Sequence, residues 1–295
     1  MLEQVICEHL QSSKALTALL AAYDGKPAVF HDKVPPVEDP LWQGENRYGQ
    51  IVLSLQIKDD PGRMRNGGLV ADVLGEKDTQ LHKDMIPIVR NSLDGYFFVS
   101  DGQVISLRWV NQSPDKDASA ASCESVRMRF RVYCYPTGNA LTNHPATLLG
   151  SWSKGCMKHI GREAYFIDDR SSLPTVFKPA AEKPALYWRL TKIKPCSWMK
   201  DTAAAGWRTA SVECHVIIPG HSEAESDLVF WLDQMIGKTE RIERDEFFMF
   251  ISKANHVDLT VISMKQGQLT INAAYGIPAE EAVGEKLQNV SIEMK

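Results

Sequence analysis

The run VRMRFRVYCY (Val126 to Tyr135) sets Arg127, Arg129 and Arg131 at a spacing of two. In a strand that spacing places three guanidinium groups on one face, with Val126, Met128, Phe130, Val132 and Cys134 on the other. Such a row can grip phosphates or a partner's carboxylates through paired N–H donors. It is equally the pattern of a solvent-facing strand surface, and the residue types do not choose between the two. Gly237-Lys238-Thr239 has the last three letters of a phosphate-binding loop, but Leu232 stands where that loop needs its first glycine. The triplet also follows a helical pattern instead of opening one, so its N–H groups would not converge on an anion. It reads as a helix stop.

Metal and nucleophile chemistry find as little support. Cys156 and His159 are three apart, yet no second pair stands at a zinc-like distance. Cys214 and His215 are adjacent in a strand pattern and face opposite sides. Asp59-Asp60, Asp168-Asp169 and Glu280-Glu281 are paired carboxylates of the kind that sit in solvated turns and helix starts. GxSxG, HExxH and GxGxxG do not occur. The residues therefore announce neither an enzyme nor a cofactor. The seven tryptophans divide: Trp109, Trp188 and Trp231 suit core faces, whereas Trp42, Trp198 and Trp207 fall in connectors, where a large apolar ring needs a partner surface.

The composition sets the frame. The chain has 295 residues, 44% hydrophobic and 24% charged, which allows one large domain or two of half the size. A formal net charge of −4 argues against a general nucleic-acid binder. Glu3 and Glu8 interrupt the first apolar run, so it does not read as a secretory leader. No stretch approaches the ~18 apolar residues of a membrane span. The expectation is a cytoplasmic chain whose six irregularly spaced cysteines are reduced.

The elements that must position these residues follow from periodicity. Apolar residues from Leu2 to Tyr23 recur at helical spacing, with a break at Ser12-Ser13 and a stop at Asp24-Gly25. Val34-Pro35-Pro36 stiffens the connector that follows. Gln50 to Lys58 alternates as a strand, Asp59 to Gly68 is rich in turn residues, and Leu69 to Leu74 is a second strand. Asp78 can cap a helix over 79–93, with Pro87 inside it. Asp101-Gly102 turns a hairpin, Asn111 to Ser125 is polar and loop-like, and the arginine strand closes the unit. The order then recurs: strands at 185–194 and 211–218, a helix from Ser222 to Ile236, then strands at 247–252, 257–263 and 268–275. In this reading Asp84 to Gly95 lies over Asp227 to Lys238, and Phe97-Phe98 over Phe247-Phe248. The expected fold class is α+β, in two similar units, each a mostly antiparallel sheet packed by one or two helices. The units span 1–138 and 139–278, followed by a polar tail, 279–295. Leu148 to Pro174 loosely echoes the opening stretch.

The N-terminal helix, YDGKPAVFHDKVPP, the strand QIVLSLQIK, LVADVL, a helix and the hairpin ending in VRMRFRVYCY together resemble phage tail terminator proteins. Tyr23, Asp24, Val34 and Pro35 stand where that family carries a Tyr-Asp…Val-Pro corner. The resemblance covers residues 1–137 and, through the repeat, extends loosely to 278. It implies a virion protein that ends tail tube growth, forms a ring at the head-tail junction and needs no cofactor. The implied partners are copies of itself in a trimer or hexamer, the tail tube protein and a neck or connector protein. DNA would pass without sequence-specific binding, with no membrane involved, and assembly would take place in the bacterial cytoplasm. The chain departs from the family in being twice its usual length, so three copies could give a pseudo-sixfold ring. The expected assembly contacts are Asp59, Asp60, Arg63, Arg65, Asp115 and Lys116 in loops, Arg127, Arg129 and Arg131 on the strand, and Trp198 and Trp207 in a connector. Three other readings stay open: another tail or neck component, a monomeric binding module, and an α+β enzyme whose site assembles only in space.

Overall fold

The structure is a computed structural model that describes residues 1–44, 47–58, 66–115, 123–136, 144–201, 205–244, 247–252 and 255–278. The first half runs α1 (Leu2–Gln11), α2 (Lys14–Thr17), β1 (Ala22–Tyr23), β2 (Lys26–Pro27), β3 (Val29–His31), β4 (Trp42–Gln43), β5 (Gln50–Lys58), β6 (Asn66–Glu76), α3 (Leu81–Leu93), β7 (Phe97–Ser100), β8 (Gln103–Pro114) and β9 (Cys123–Tyr135). The second runs α4 (Pro145–His159), β10 (Tyr165–Phe166), a 3-10 turn (Arg170–Ser172), β11 (Val176–Phe177), β12 (Ala185–Pro195), β13 (Ala205–Ile217), α5 (Ser222–Gly237), β14 (Arg241–Arg244), β15 (Phe247–Ile251), β16 (His256–Val257) and β17 (Leu269–Pro278).

Both halves are wound alike. The first sheet has the order β3-β5-β6-β9-β8-β7 and the second β10-β12-β13-β17-β15-β14. In each, the short opening strand lies parallel to the first long strand and every other pairing is antiparallel. The fold is α+β in two similar units. Alternation sends one side of each strand to the helices. In the first unit Ile51, Leu53, Leu69, Ala71, Val73, Ile105, Leu107, Met128, Phe130 and Val132 form one core with Ile6 and Leu10 of α1 and Met85, Val89 and Leu93 of α3. In the second, Leu186, Trp188, Val212, Cys214, Val216, Met249 and Ile271 meet Leu149 and Met157 of α4 and Leu228, Leu232 and Ile236 of α5.

Several local expectations change. The first helix ends at Gln11, and Asp24-Gly25 is the tight turn between β1 and β2, both residues at positive φ (49° and 72°). The Asp-Gly pair suits a two-residue hairpin as well as a helix stop, because both need the left-handed region. Asp78 lies at φ 61° ahead of α3 and makes no cap; the helix starts at Leu81 and carries the exposed Pro87 within it. The segment expected to loop from Asn111 is strand as far as Pro114 and strand again from Cys123. The strand expected at 257–263 is only the two-residue β16, whereas β14 lies in a stretch with no strand pattern. As a result the two Phe-Phe pairs are not equivalent: Phe97-Phe98 lies on the first strand after its helix and Phe247-Phe248 on the second.

The units meet through their helix-free faces. Phe97, Val104, Tyr133 and Tyr135 of the first pack with Ile167, Phe177, Ala185, Tyr187, Ile217 and Met264 of the second. Phe97 stacks on Phe177 (5.0 Å between ring centroids), and Tyr135 meets Tyr187 edge-on (5.2 Å). The Tyr187 hydroxyl donates to the Pro136 carbonyl (2.6 Å), and that of Tyr135 to Met264 O (3.2 Å). Buried aromatic hydroxyls need such partners, which fixes the register of one unit on the other. β11 adds a second link: it comes from the second half, yet pairs antiparallel with β7 on the edge of the first sheet.

Candidate functional site

The arginine row lies on the helix-free face of the first sheet, beyond Tyr133 and Tyr135 on β9. Its members differ. Arg127 is held by two carboxylates: Nε and Nη2 donate to Asp72 (2.8 and 3.1 Å), and Nη2 also to Asp115 (2.6 Å). Asp115 is buried at the end of β8, so this triad is internal. Arg129 donates to Ser113 Oγ (3.0 Å) and is exposed, as is Arg131. Arg131 lies directly across from Arg108 in the β8–β9 ladder. Like charges opposed in this way repel, and an external anion relieves them. Arg108 also faces Glu225 of α5, whose carboxyl is raised mainly by burial and drawn back by the Ile218 N–H, the Ser263 hydroxyl and Arg108 itself. The open part of the row is therefore Arg129, Arg131 and Arg108.

Trp198 stands half exposed in the connector between β12 and β13. Trp207 lies at the start of β13, its N–H donating to Asp201 Oδ1 (2.6 Å). Its ring gathers with Phe248 (6.1 Å) and Phe250 (5.9 Å), and the Arg241 guanidinium lies over Phe248 (5.0 Å). This aromatic group on the helix-free face of the second sheet was missed from sequence except for Trp207. Its signal was the FFMFI alternation of β15, which sends Phe248 and Phe250 to one side and Met249 to the core. Val110, Ile193, Phe230 and Ile277 are exposed apolar side chains nearby in sequence to these strand ends or on α5. Asp59, Asp60, Arg63, Arg65 and Lys116 lie outside the described residues, as does the polar tail 279–295. Trp42, by contrast, is buried; it folds its own connector by donating Nε1–H to Pro36 O (3.0 Å).

Two buried titratable groups sit near the junction. Asp168 follows β10 and lies against Gly150 of α4, where a side chain larger than hydrogen would collide with its carboxylate. Its Oδ1 has no hydrogen-bond partner, and burial raises its pKa to about 6. His215 donates its Nδ1–H to Ser263 O (2.7 Å), its Nε2 is unpartnered, and burial lowers its pKa to about 4. Both sit behind packed side chains, which suits a folding role more than catalysis. Gly237 ends α5; Thr239 N–H and Oγ1–H return to Ile236 O and Met235 O (both 2.9 Å), which is helix-stop chemistry. Among the described residues no three His, Cys, Asp or Glu side chains gather as for a metal ion, and no helix is long and apolar enough to cross a membrane.

No family model matches the chain, and no curated protein sequence does. Among solved structures, a chain described as "Virion of native gene transfer agent (GTA) particle" is similar at 19% sequence identity and a TM-score of 0.36, over 45% of this chain and 93% of that one.

Proposed function

We propose that this chain is a structural protein of a tailed-phage-like virion, that it ends growth of the tail tube, and that it forms a ring at the head-tail junction. The observation that carries the reading is the pairing of two identically wound units, in which the connector of the second completes the sheet edge of the first. A contact of that head-to-tail kind generates rings when its rotation closes. The resemblance of residues 1–137 to tail terminators points the same way. In this reading the two units are a tandem duplication, and three copies supply six similar units around the tube. The Arg129, Arg131 and Arg108 surface meets carboxylates of a neighbouring protein, as Arg127 in the same row already binds two within the chain. The long hairpins β5–β6, β8–β9 and β12–β13 and the Trp198–Trp207 connector supply contacts to the tube and neck.

The test is the mass in solution by light scattering over a concentration series, with negative-stain images and capping of purified tail tubes. Rings or capped tubes are expected. A chain that stays monomeric and leaves tubes uncapped contradicts the proposal.

A further inference from the structure

The exposed arginines of the first sheet lack a counter-charge. Arg108, Arg129 and Arg131 all reach solvent, and among the described residues no carboxylate forms an ion pair with them. Arg129 has only the neutral Ser113 hydroxyl. Glu225 stands near Arg108, but its carboxylate already accepts from Ile218 N–H (2.7 Å) and Ser263 Oγ–H (2.8 Å). Strand geometry sets Arg129 and Arg131 about 7 Å apart along β9, and Arg108 about 5 Å across from Arg131. Val110, the extra residue of the bulge between Arg108 and Asn111, is 47% exposed at the same place in the ladder.

The chain carries one surface of the opposite kind. α5 holds Glu223, Glu225, Asp227 and Asp233 and no Lys or Arg. The helix dipole favours carboxylates in the first turn, which accounts for Glu223 and Glu225 but not for Asp233 in the C-terminal half. Glu223, Asp227 and Phe230 follow one another at i, i+4 and i+7, so they form one outward stripe, and all three are exposed. Among the described residues neither Glu223 nor Asp227 forms an ion pair, and Phe230, 61% exposed, is the most open Trp or Phe. The other long helices differ. α1 presents Glu8 already bonded by Gln4, α3 presents Lys83 and Arg90 beside Asp84, and α4 presents Lys154 and Lys158.

We propose that the α5 stripe of a second copy of this chain docks on the arginine surface of the first, with Glu223 and Asp227 pairing the guanidinium groups and Phe230 lying over Val110. The proposal rests on the assembly reading above and names the neighbour that supplies its carboxylates. Charge complementarity carries it, because each face lacks ion pairs of its own among the described residues and the two are opposite in sign. Spacing agrees. Glu223 and Asp227 lie about 6 Å apart along the helix axis, against about 7 Å between Arg129 and Arg131. Phe230 follows one turn on. Exposed charge pairs alone contribute little, but an aromatic anchor buried beside them excludes water from the contact. The two faces are different patches, so the contact is head-to-tail, the kind that closes rings.

The experiment follows the full chain at low salt, by light scattering over a concentration series and by negative-stain images of purified tail tubes. Two double variants are compared with the wild type: Arg129→Glu with Arg131→Glu, and Glu223→Arg with Asp227→Arg. All four positions are exposed, and circular dichroism checks each fold. Each double variant is expected to stay monomeric where the wild type assembles, and to leave tubes uncapped. The chain with all four changes sets unlike charges across the contact again and is expected to regain assembly. Should it fail to fold, an equimolar mixture of the two double variants, which also brings unlike charges together, takes its place. Assembly by either folded double variant at the wild-type concentration overturns the proposal, and so does a folded four-change chain, or a mixture, that stays monomeric. If only the arginine variant fails to assemble, the arginines meet another protein's carboxylates and this contact alone is wrong. If the wild type neither assembles nor caps tubes, the assembly reading falls with it.

Discussion

Replacing Asp168 by asparagine should stabilise this protein at neutral pH and not in acid. The Asp168 carboxyl is buried against Gly150, one oxygen lacks a partner, and its pKa rises from 3.8 to about 6. Burial is the main cause, Asp169 adds to it, and the residue's own N–H and Lys154 oppose it. The folded state thus binds the proton more tightly than the unfolded chain. Between pH 4 and 6 the unfolded state carries fewer protons, so stability falls as pH rises. At about 1.4 kcal/mol per pKa unit, the charged side chain costs the fold about 3 kcal/mol above pH 6. Asparagine removes that cost but buries two N–H donors, which returns about 1–2 kcal/mol. The expected net gain is about 1–2 kcal/mol at pH 7.5, vanishing or reversing at pH 4.5. Urea unfolding of both proteins at the two pH values, followed by circular dichroism, measures it. An equal difference at both pH values would refute the reasoning, because an uncharged packing effect does not titrate.

The same pocket predicts that Gly150→Ala destabilises, even though alanine favours helix by about 1 kcal/mol, because its methyl group enters the space of the Asp168 carboxylate; a raised urea midpoint would contradict this. His215 is held neutral by burial with its pKa lowered to about 4, so it withdraws stability as pH falls from 6.5 towards 4 and opposes Asp168. In Asp168→Asn that opposition is gone, and the acid loss of stability should be steeper than in the wild type. Tyr135→Phe deletes a hydroxyl shared between Ser106 and Met264 across the junction and should cost about 1–2 kcal/mol, read as a lower unfolding midpoint. Arg129→Glu with Arg131→Glu should leave stability within about 0.5 kcal/mol, while weakening assembly most at low salt, where charge contacts are least screened.

Much of the fold is legible in the sequence where alternation is strong. In QIVLSLQIK, VRMRFRVYCY and ALYWRLTKIK the alternation separates the helix-facing side from the other side, although Tyr133, Tyr135, Ala185 and Tyr187 on that other side are buried between the units, and Asp101-Gly102 marks its hairpin. β14 is the opposite case: RIER holds one apolar residue, Ile242, and an edge strand that short shows no period. Missing it shifted the repeat by one strand and made the Phe-Phe pairs look equivalent when identity, not register, was matched. β11 is invisible for another reason, since its pairing with β7 is long-range and its two residues state no partner. Within the candidate site, the arginine row was legible as a face. Its division into a neutralised Arg127 and exposed Arg129 and Arg131 was not, because Asp72 and Asp115 approach from neighbouring strands. Trp42 looked like a ring in need of a partner surface; its partners are Tyr23 on the neighbouring β1 and Phe30 on β3 of the large first sheet.

The central claim, assembly through repeated units, is tested most directly by the mass of the full chain from light scattering across a concentration series, with purified tail tubes added to a parallel set and both imaged by negative stain. The account predicts closed rings of three copies, or tube ends capped by such rings. A monomer at every concentration, beside tubes whose ends stay bare, would contradict it.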